Sequence, residues 1–232
     1  VETEDRSPVV LVFGLSALAF VIGVLLTPIL THYLYKYKLW RKEVRTEAPD
    51  GSKTPIFAEL HKDRETRVPR LGGILIWAIP ALLAVLLRFL LAFTDRPLFF
   101  KLNFLSRSQT WLPLFTLVSA SLVGLIDDLK QVFGKGHYVA GGMRFSRRLF
   151  LILLIAAVGA WWFYVKLEVS HVFIPFFGEL ELGWFFPLFF ILVMLATFSG
   201  SVIDGLDGLA GGVMASIFAA YAGIAFFQEQ FD

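Results

Sequence analysis

Two pairs of aspartates carry the chemistry that this sequence offers. Asp127 and Asp128 are adjacent, and Asp204 and Asp207 follow later in the chain. Four carboxylates repel one another unless a cation lies among them, and a site with oxygen ligands alone favours Mg²⁺ or Mn²⁺. Because Mg²⁺ usually takes one or two carboxylates and recruits substrate phosphates, we expect a magnesium site that binds a phosphorylated substrate.

Glycines surround the second pair of aspartates. The segment Asp204-Gly-Leu-Asp-Gly-Leu-Ala-Gly-Gly212 places Gly205 and Gly208 directly after the two aspartates. Glycine lets the backbone approach a ligand closely, and a helix N-terminus attracts phosphate, so this segment is a candidate substrate site. The alternative is that these glycines only pack helices together, as they often do in membranes.

Basic residues beside paired glycines form a third candidate element, Val68-Pro-Arg-Leu-Gly-Gly73, which suits a diphosphate. The alternative is that its charges only set membrane orientation. The same alternatives stand for four further basic residues: Lys135, Arg144, Arg147 and Arg148.

The first pair of aspartates also has a simpler explanation. Asp127 and Asp128 could be solvated residues at the end of a membrane helix, with Lys130 as an ion-pair partner. Two acidic clusters on the same side of the membrane favour a functional site instead. Adjacent residues on a helix point about 100° apart, so we expect one carboxylate to ligate metal while the other faces a phosphate acceptor.

The elements that position these residues are six apolar stretches. Apolar residues make up 57% of the 232 residues and charged residues only 17%, against about 25% in soluble domains. Six stretches approach the roughly 20 residues that cross a bilayer, and their apolar runs are continuous, which favours helices over strands. They are about Val9–Leu34, Leu71–Phe93, Trp111–Ile126, Leu149–Val165, Trp184–Val202 and Leu209–Phe227. We therefore predict an all-α, polytopic membrane protein with residues 1–232 in a single transmembrane domain.

Lysine and arginine predict the orientation of these spans. Of the 21 basic residues, 15 lie in residues 35–70 and 127–148. The positive-inside rule makes this side cytoplasmic, so the N-terminus lies outside and all four aspartates lie on the cytoplasmic side. Residues 35–70 form a cytoplasmic loop that we expect to hold short interfacial helices.

Three motifs together resemble a known family, the polyprenyl-phosphate N-acetylhexosamine-1-phosphate transferases (glycosyltransferase family 4). They are Pro69-Arg-Leu-Gly-Gly-Ile74, Gly124-Leu-Ile-Asp-Asp128 and the Asp204–Gly212 segment. The resemblance implies an all-helical fold of ten spans, of which this sequence carries the first six. It therefore implies a C-terminally truncated chain, with a further metal-binding aspartate and a histidine-rich loop beyond Asp232.

The resemblance also assigns roles to individual residues. It makes Asp127 and Asp128 catalytic, with Asp127 binding or deprotonating the lipid phosphate. Mg²⁺, or Mn²⁺ in its place, is held by Asp128 and Asp204. The implied substrate-binding residues are Lys62, Lys135, Asp204, Gly205, Asp207 and Gly208.

The implied reaction moves a phospho-N-acetylhexosamine from a UDP-sugar to undecaprenyl phosphate, releases UMP and leaves a lipid-linked diphosphate sugar. Within the family, the sequence is most similar to the branch that transfers phospho-N-acetylmuramoyl-pentapeptide for peptidoglycan synthesis. Transfer of N-acetylglucosamine-1-phosphate for O-antigen or teichoic acid synthesis is the alternative. The expected location is the cytoplasmic (inner) membrane of a bacterium, with no nucleic acid partner and with a homodimer left open.

Two other classes of function remain as rivals. A CDP-alcohol phosphotransferase would carry an arginine and a later pair of aspartates after its Asp-Gly, but here Asp204-Gly is followed by Leu-Asp-Gly. A transporter or membrane scaffold would favour charges in mid-span. A scaffold would lose little on Asp127→Asn, whereas a transferase would lose nearly all activity.

Overall fold

Six long apolar helices make up most of the described part of the chain. The structure, a computed structural model, describes residues 7–42, 53, 55–56, 59, 66–93, 105, 108–134, 142–174, 176–203 and 208–228. Within these residues the helices are α1 (Ser7–Lys36), α2 (Ile74–Phe93), α3 (Ser108–Phe133), α4 (Phe145–Trp161), α5 (Phe186–Ile203) and α6 (Leu209–Phe227). All six are long and apolar enough to cross a membrane, which confirms an all-α polytopic membrane protein.

The third helix is longer than its apolar stretch. We predicted a span that ends at Ile126, but α3 continues without a break to Phe133. Its last turns hold polar residues that the protein itself buries, among them Gln131. Hydropathy marks only where lipid contact ends, so it misses a helix that continues among protein side chains.

A short β-hairpin connects α4 to α5, although the apolar runs predicted helices alone. After α4, Trp162–Lys166 forms a π-helical turn, and then β1 (His171–Ile174) pairs antiparallel with β2 (Gly178–Glu181). A 3₁₀ turn, Gly183–Phe185, leads into α5. The hairpin lies between the C-terminal end of α4 and the start of α5. Its strand pairing provides hydrogen-bond partners for backbone N–H and C=O groups outside the spans.

Successive helices are neighbours in space. From α1 to α5, each helix packs against the next, and α4 with α5 forms the most extensive contact. Gly159 of α4 lets the ring of Phe190 approach so closely that an added Cβ would lie 2.9 Å from Phe190 Cε1. Such close approach at a small residue is how membrane helices gain dispersion energy where lipid removes the hydrophobic drive. No residue of α6 is buried against the described part of the chain.

A small apolar cluster packs behind the first pair of aspartates. Val123, Met143, Ile152 and Ile155 form it, and Phe198 of α5 packs against it. Val123 lies one turn before Asp127, so both residues occupy the same face of α3. The cluster therefore links α3, α4 and α5 at the level where the polar residues begin.

The two ends of the 35–70 loop are held together. Trp40 and Pro69 form an isolated antiparallel bridge, and the Arg70 N–H donates to the Leu39 carbonyl at 2.9 Å. This pairing keeps the C-terminal end of α1 beside the start of α2. Most residues between 43 and 65 lie outside the described part of the chain, and so do the interfacial helices expected there.

Candidate active site

The adjacent aspartates of α3 point to different neighbours. Asp127 faces Arg148 in the first turn of α4, and Asp128 faces Arg70 just before α2. This divergence is what an angle of about 100° between successive helical residues predicts. One helix thereby holds two neighbouring elements through two separate carboxylates.

Asp127 is buried and accepts three hydrogen bonds. The backbone N–H of Met143 donates to Oδ1 at 2.5 Å, and Gln131 Nε2 donates to Oδ2 at 3.0 Å. Arg148 Nη2 also donates to Oδ2 and forms an ion pair with it. A buried carboxylate is tolerated only with such partners, since an uncompensated charge in the protein interior costs several kcal/mol.

Behind Asp127, the amide of Gln131 joins the carboxylate to a second arginine. Both Nε and Nη2 of Arg41 donate to Gln131 Oε1, with the Nε contact at 3.0 Å. Arg41 is 3% exposed and Gln131 is 5% exposed, so this chain of contacts is shielded from solvent. It runs from the start of the 35–70 loop to the carboxylate of Asp127.

Gly142 closes this polar cluster from the side of the connection between α3 and α4. A Cβ at this position would lie 3.2 Å from Asp127 Oδ1 and 3.3 Å from Gln131 Nε2. Both separations are shorter than ordinary van der Waals contact. The absence of a side chain therefore allows the backbone to lie directly over the two polar groups.

Asp128 pairs with Arg70 in a more open position. Arg70 Nη1 lies 3.1 Å from Asp128 Oδ1, and both side chains are 32% exposed. The next residue, Leu71, adopts a left-handed conformation with φ of 73°, which costs a residue with a Cβ about 1–2 kcal/mol. The Leu71 side chain is buried, and its burial offsets this strain.

The two carboxylates line a cleft of ≈ 430 Å³ between α2, α3, α4 and α5. Polar groups from Asp127, Asp128 and Arg148 meet apolar walls from Leu71, Trp77, Val123, Ile152 and Phe198. A cleft that combines charged groups with apolar walls suits a molecule with an anionic head and an apolar tail.

The simpler explanation of the first aspartate pair is wrong for this arrangement. Asp127 and Asp128 do not end their helix, and Asp127 is buried rather than solvated. Their ion-pair partners are Arg148 and Arg70, where Lys130 was the expected candidate. Lys130 instead lines a separate pocket with Met143.

The other predicted site residues have different outcomes. Gly208 precedes α6 with φ of 82°, a conformation that glycine adopts without strain, in keeping with a turn after the aspartates. Five others lie outside the described residues: Lys62, Lys135, Asp204, Gly205 and Asp207. Their roles, and that of the metal, remain predictions.

The sequence did not reveal Gln131, Arg41 or Gly142. Gln131 lies four residues after Asp127, a spacing that places two side chains on one helix face, but only a helix that extends to Phe133 makes this relevant. Arg41 is one of ten basic residues in residues 35–70, and nothing in its sequence context separates it from the others.

The donor set suits a hard cation only in part. Carboxylate oxygens are the ligands that Mg²⁺ prefers, and Asp128 is half-exposed at the cleft. Among the described residues no group of three or more histidine or acidic side chains could hold a metal ion. A complete set would need ligands beyond Asp127 and Asp128, of which Asp204 is the predicted one.

The six helices define a multi-pass membrane protein. Its cleft is lined by two aspartates that each pair with an arginine. The sequence pattern of glycosyl transferase family 4 matches residues 110–232. The chain belongs to this family, as the three motifs predicted.

Curated relatives match almost the whole chain. A phospho-N-acetylmuramoyl-pentapeptide-transferase from Listeria innocua is 30% identical over 223 residues, which covers 93% of this chain and 59% of the relative. Proteins of the same name from Acetivibrio thermocellus (30% identity, 97% of this chain, 59% of the relative) and Chloroflexus aggregans (28%, 93% and 53%) are similar too. The chain thus spans between half and two thirds of the length of these relatives.

Proposed function

We propose that the protein transfers a phospho-N-acetylhexosamine from a UDP-sugar to undecaprenyl phosphate. The lipid phosphate attacks the β-phosphate of the donor, UMP leaves, and a lipid-linked diphosphate sugar remains. The cleft carries this proposal, because it brings Asp127, Asp128 and Arg148 to one end of apolar walls. An anionic head at the charged end and a prenyl chain along the apolar walls would match that distribution.

The donor we propose is UDP-N-acetylmuramoyl-pentapeptide, for cell-wall synthesis. Its support is the name that the relatives share and their similarity over most of this chain. UDP-N-acetylglucosamine, as used for O-antigen or teichoic acid, is the alternative donor, since the Pro-Arg-Leu-Gly-Gly motif does not separate the two branches.

Charge neutralisation and positioning would supply most of the catalysis. A phosphate monoester is largely ionised at neutral pH, so removal of a proton by Asp127 would add little. Both oxygens of Asp127 accept hydrogen bonds, one of them from Arg148. We propose that Asp127 aims this guanidinium into the cleft, where it neutralises phosphate charge, an electrostatic effect that is often the largest part of catalysis.

A magnesium ion, or manganese in its place, would complete the site. Asp128 and Asp204 would hold it, and the ion would neutralise charge on the donor diphosphate. Asp207, Gly205, Gly208, Lys62 and Lys135 would bind the donor, as the resemblance implies.

The site would open to the cytoplasm of a bacterial cell. The basic residues of 35–70 and 127–148 support this orientation through the positive-inside rule. A nucleotide-sugar donor would then meet a lipid acceptor that is dissolved in the same membrane as the protein.

UMP release by the complete polypeptide in detergent or lipid tests the proposal. We expect Mg²⁺-dependent release with UDP-N-acetylmuramoyl-pentapeptide and undecaprenyl phosphate, and loss of nearly all of it in Asp128→Asn. Lys42→Gln, at an exposed residue outside the site, is the control that should keep the rate. If UMP is released with UDP-N-acetylglucosamine but not with UDP-N-acetylmuramoyl-pentapeptide, the protein belongs to the alternative branch. No release with any UDP-N-acetylhexosamine would overturn the function.

A further inference from the structure

A buried arginine outside the cleft contacts the amide of Gln131, which in turn donates to Asp127. We infer that Arg41 is a positioning residue that, through Gln131, fixes the orientation of Asp127. The inference rests on the proposed function for its effect on rate, while its effect on structure is independent of any reaction. Arg41 itself does not line the cleft that holds Asp127 and Arg148.

The hydrogen-bonding capacities of the three side chains require this order. A guanidinium only donates, and an ionised carboxylate only accepts. Gln131 lies between them with its Oε1 toward Arg41 and its Nε2 toward Asp127 Oδ2. An amide turned by 180° would face donor with donor and acceptor with acceptor. Arg41 therefore selects the one amide orientation that can donate to Asp127.

Glutamate and lysine, the charged side chains of similar length, each lose one of the two contacts at position 131. Glutamate would accept from Arg41 but would place a second negative charge beside Asp127. Lysine would donate to Asp127 but would repel Arg41. Glutamine is thus specific to this chain of contacts, and Gln131→Glu changes its chemistry with almost no change in shape.

The orientation of Asp127 matters because its two oxygens have separate duties. Oδ1 holds the backbone of Met143, and Oδ2 holds the guanidinium of Arg148 at the cleft. A rotation of the carboxylate would weaken both contacts together. Arg41 therefore influences the guanidinium of Arg148 indirectly, through Gln131 and Asp127.

The position of Arg41 in the chain connects its contact with Gln131 to the base of the 35–70 loop. Arg41 directly follows Trp40, whose bridge to Pro69 closes the 35–70 loop, and Arg70 directly follows Pro69. Each end of the loop thus contributes an arginine to the last turns of α3, one through Gln131 and one to Asp128. The loop base holds the two carboxylates from two directions.

Paired variants of the complete polypeptide test the inference. We compare Arg41→Gln and Gln131→Glu with Lys42→Gln, which removes the same charge from an adjacent exposed residue. Loss of supporting contacts around a site typically costs 10–100-fold in activity. We therefore expect kcat to fall about 10-fold or more in the first two variants, with KM for the donor within about two-fold. Lys42→Gln should match the unmodified protein, and Arg41→Lys, which still donates to the amide, should recover part of kcat.

Hydrogen exchange at the Met143 amide provides a readout that does not need the reaction. Its N–H is held by Asp127 Oδ1, so Arg41→Gln should speed its exchange about 10-fold, equivalent to about 1.4 kcal/mol of lost protection. Gln131→Leu should also speed this exchange, and the double variant Arg41→Gln/Gln131→Leu should exchange no faster than the faster of these two single variants, because Arg41 reaches Asp127 through Gln131. Exchange and kcat within two-fold of the unmodified protein in Arg41→Gln would overturn the inference. If the unmodified protein releases no UMP, the proposed function fails, and the exchange result still decides the role of Arg41.

Discussion

Arg70 and Asp128, 58 residues apart in the chain, form an ion pair with 3.1 Å between Nη1 and Oδ1. The contact joins the start of α2 to the last turns of α3 at the edge of the cleft. Its neighbour on α3, Asp127, makes a buried contact with Arg148 of α4 instead. Two adjacent carboxylates thus differ in burial, in partner and in the elements they join, and the following predictions use that difference.

Asp127→Asn should destabilise the protein far more than Asp128→Asn. In either orientation, an asparagine at 127 sets its NH₂ group against a donor: the Met143 N–H on one side, or Gln131 and Arg148 on the other. Breaking a buried pair costs roughly 3–5 kcal/mol, whereas an exposed pair contributes about 0–1 kcal/mol. Thermal unfolding of the two variants in the same detergent measures the difference. Equal shifts in Tm would contradict the burial assigned to Asp127.

Swapping the charges of the Arg70–Asp128 ion pair should distinguish a structural role of Asp128 from a role in the reaction. The double variant Arg70→Asp/Asp128→Arg can re-form an ion pair, so its Tm should return to within a few degrees of the unmodified protein. Its UMP release should stay lost, because an arginine at 128 only donates hydrogen bonds and cannot ligate Mg²⁺ as a carboxylate would. Recovery of UMP release in the double variant would show that Asp128 acts only as a structural partner.

Single introduced cysteines should report the orientation of the spans. Residues 1–232 contain no cysteine, so an introduced cysteine is the single thiol of this part of the polypeptide. Lys42→Cys lies at the base of the 35–70 loop. Glu179→Cys lies on the β-hairpin that connects the C-terminal end of α4 to the N-terminal end of α5. In intact cells, a membrane-impermeant maleimide should label Glu179→Cys alone, and permeabilised cells should label both. Labelling of Lys42→Cys in intact cells would reverse the proposed orientation.

The six spans were readable from the sequence because lipid forces a simple pattern on it. Every backbone polar group in the bilayer must be satisfied within its segment, so a long continuous apolar run implies a helix. The prediction held for all six helices and was least accurate for α3, whose final turns are polar. The last turns of α3 are surrounded by other parts of the protein rather than by lipid, and hydropathy does not describe contact with protein.

The sequence indicated Asp127 as a candidate site residue, but it did not indicate what surrounds that residue. Two adjacent aspartates near other carboxylates indicated a charged site, and helical geometry predicted different partners for each. Arg70 lies in the Val68–Gly73 element and Arg148 was one of four further basic candidates, but the sequence did not predict that these two would pair with the aspartates. Pairing is set by contacts between residues that are distant in the chain, such as the closed base of the 35–70 loop.

The sequence by itself determined the fold class and the six spans, because these depend on composition and on local periodicity. It also determined the family, through motifs that are short and contiguous. Only the tertiary structure decided that Asp127 is buried, that Gln131 joins it to Arg41, and that Asp128 stays open beside Arg70. The physical reason is that burial and hydrogen-bond partnership are properties of the packed helices, and no single helix carries them in its own sequence.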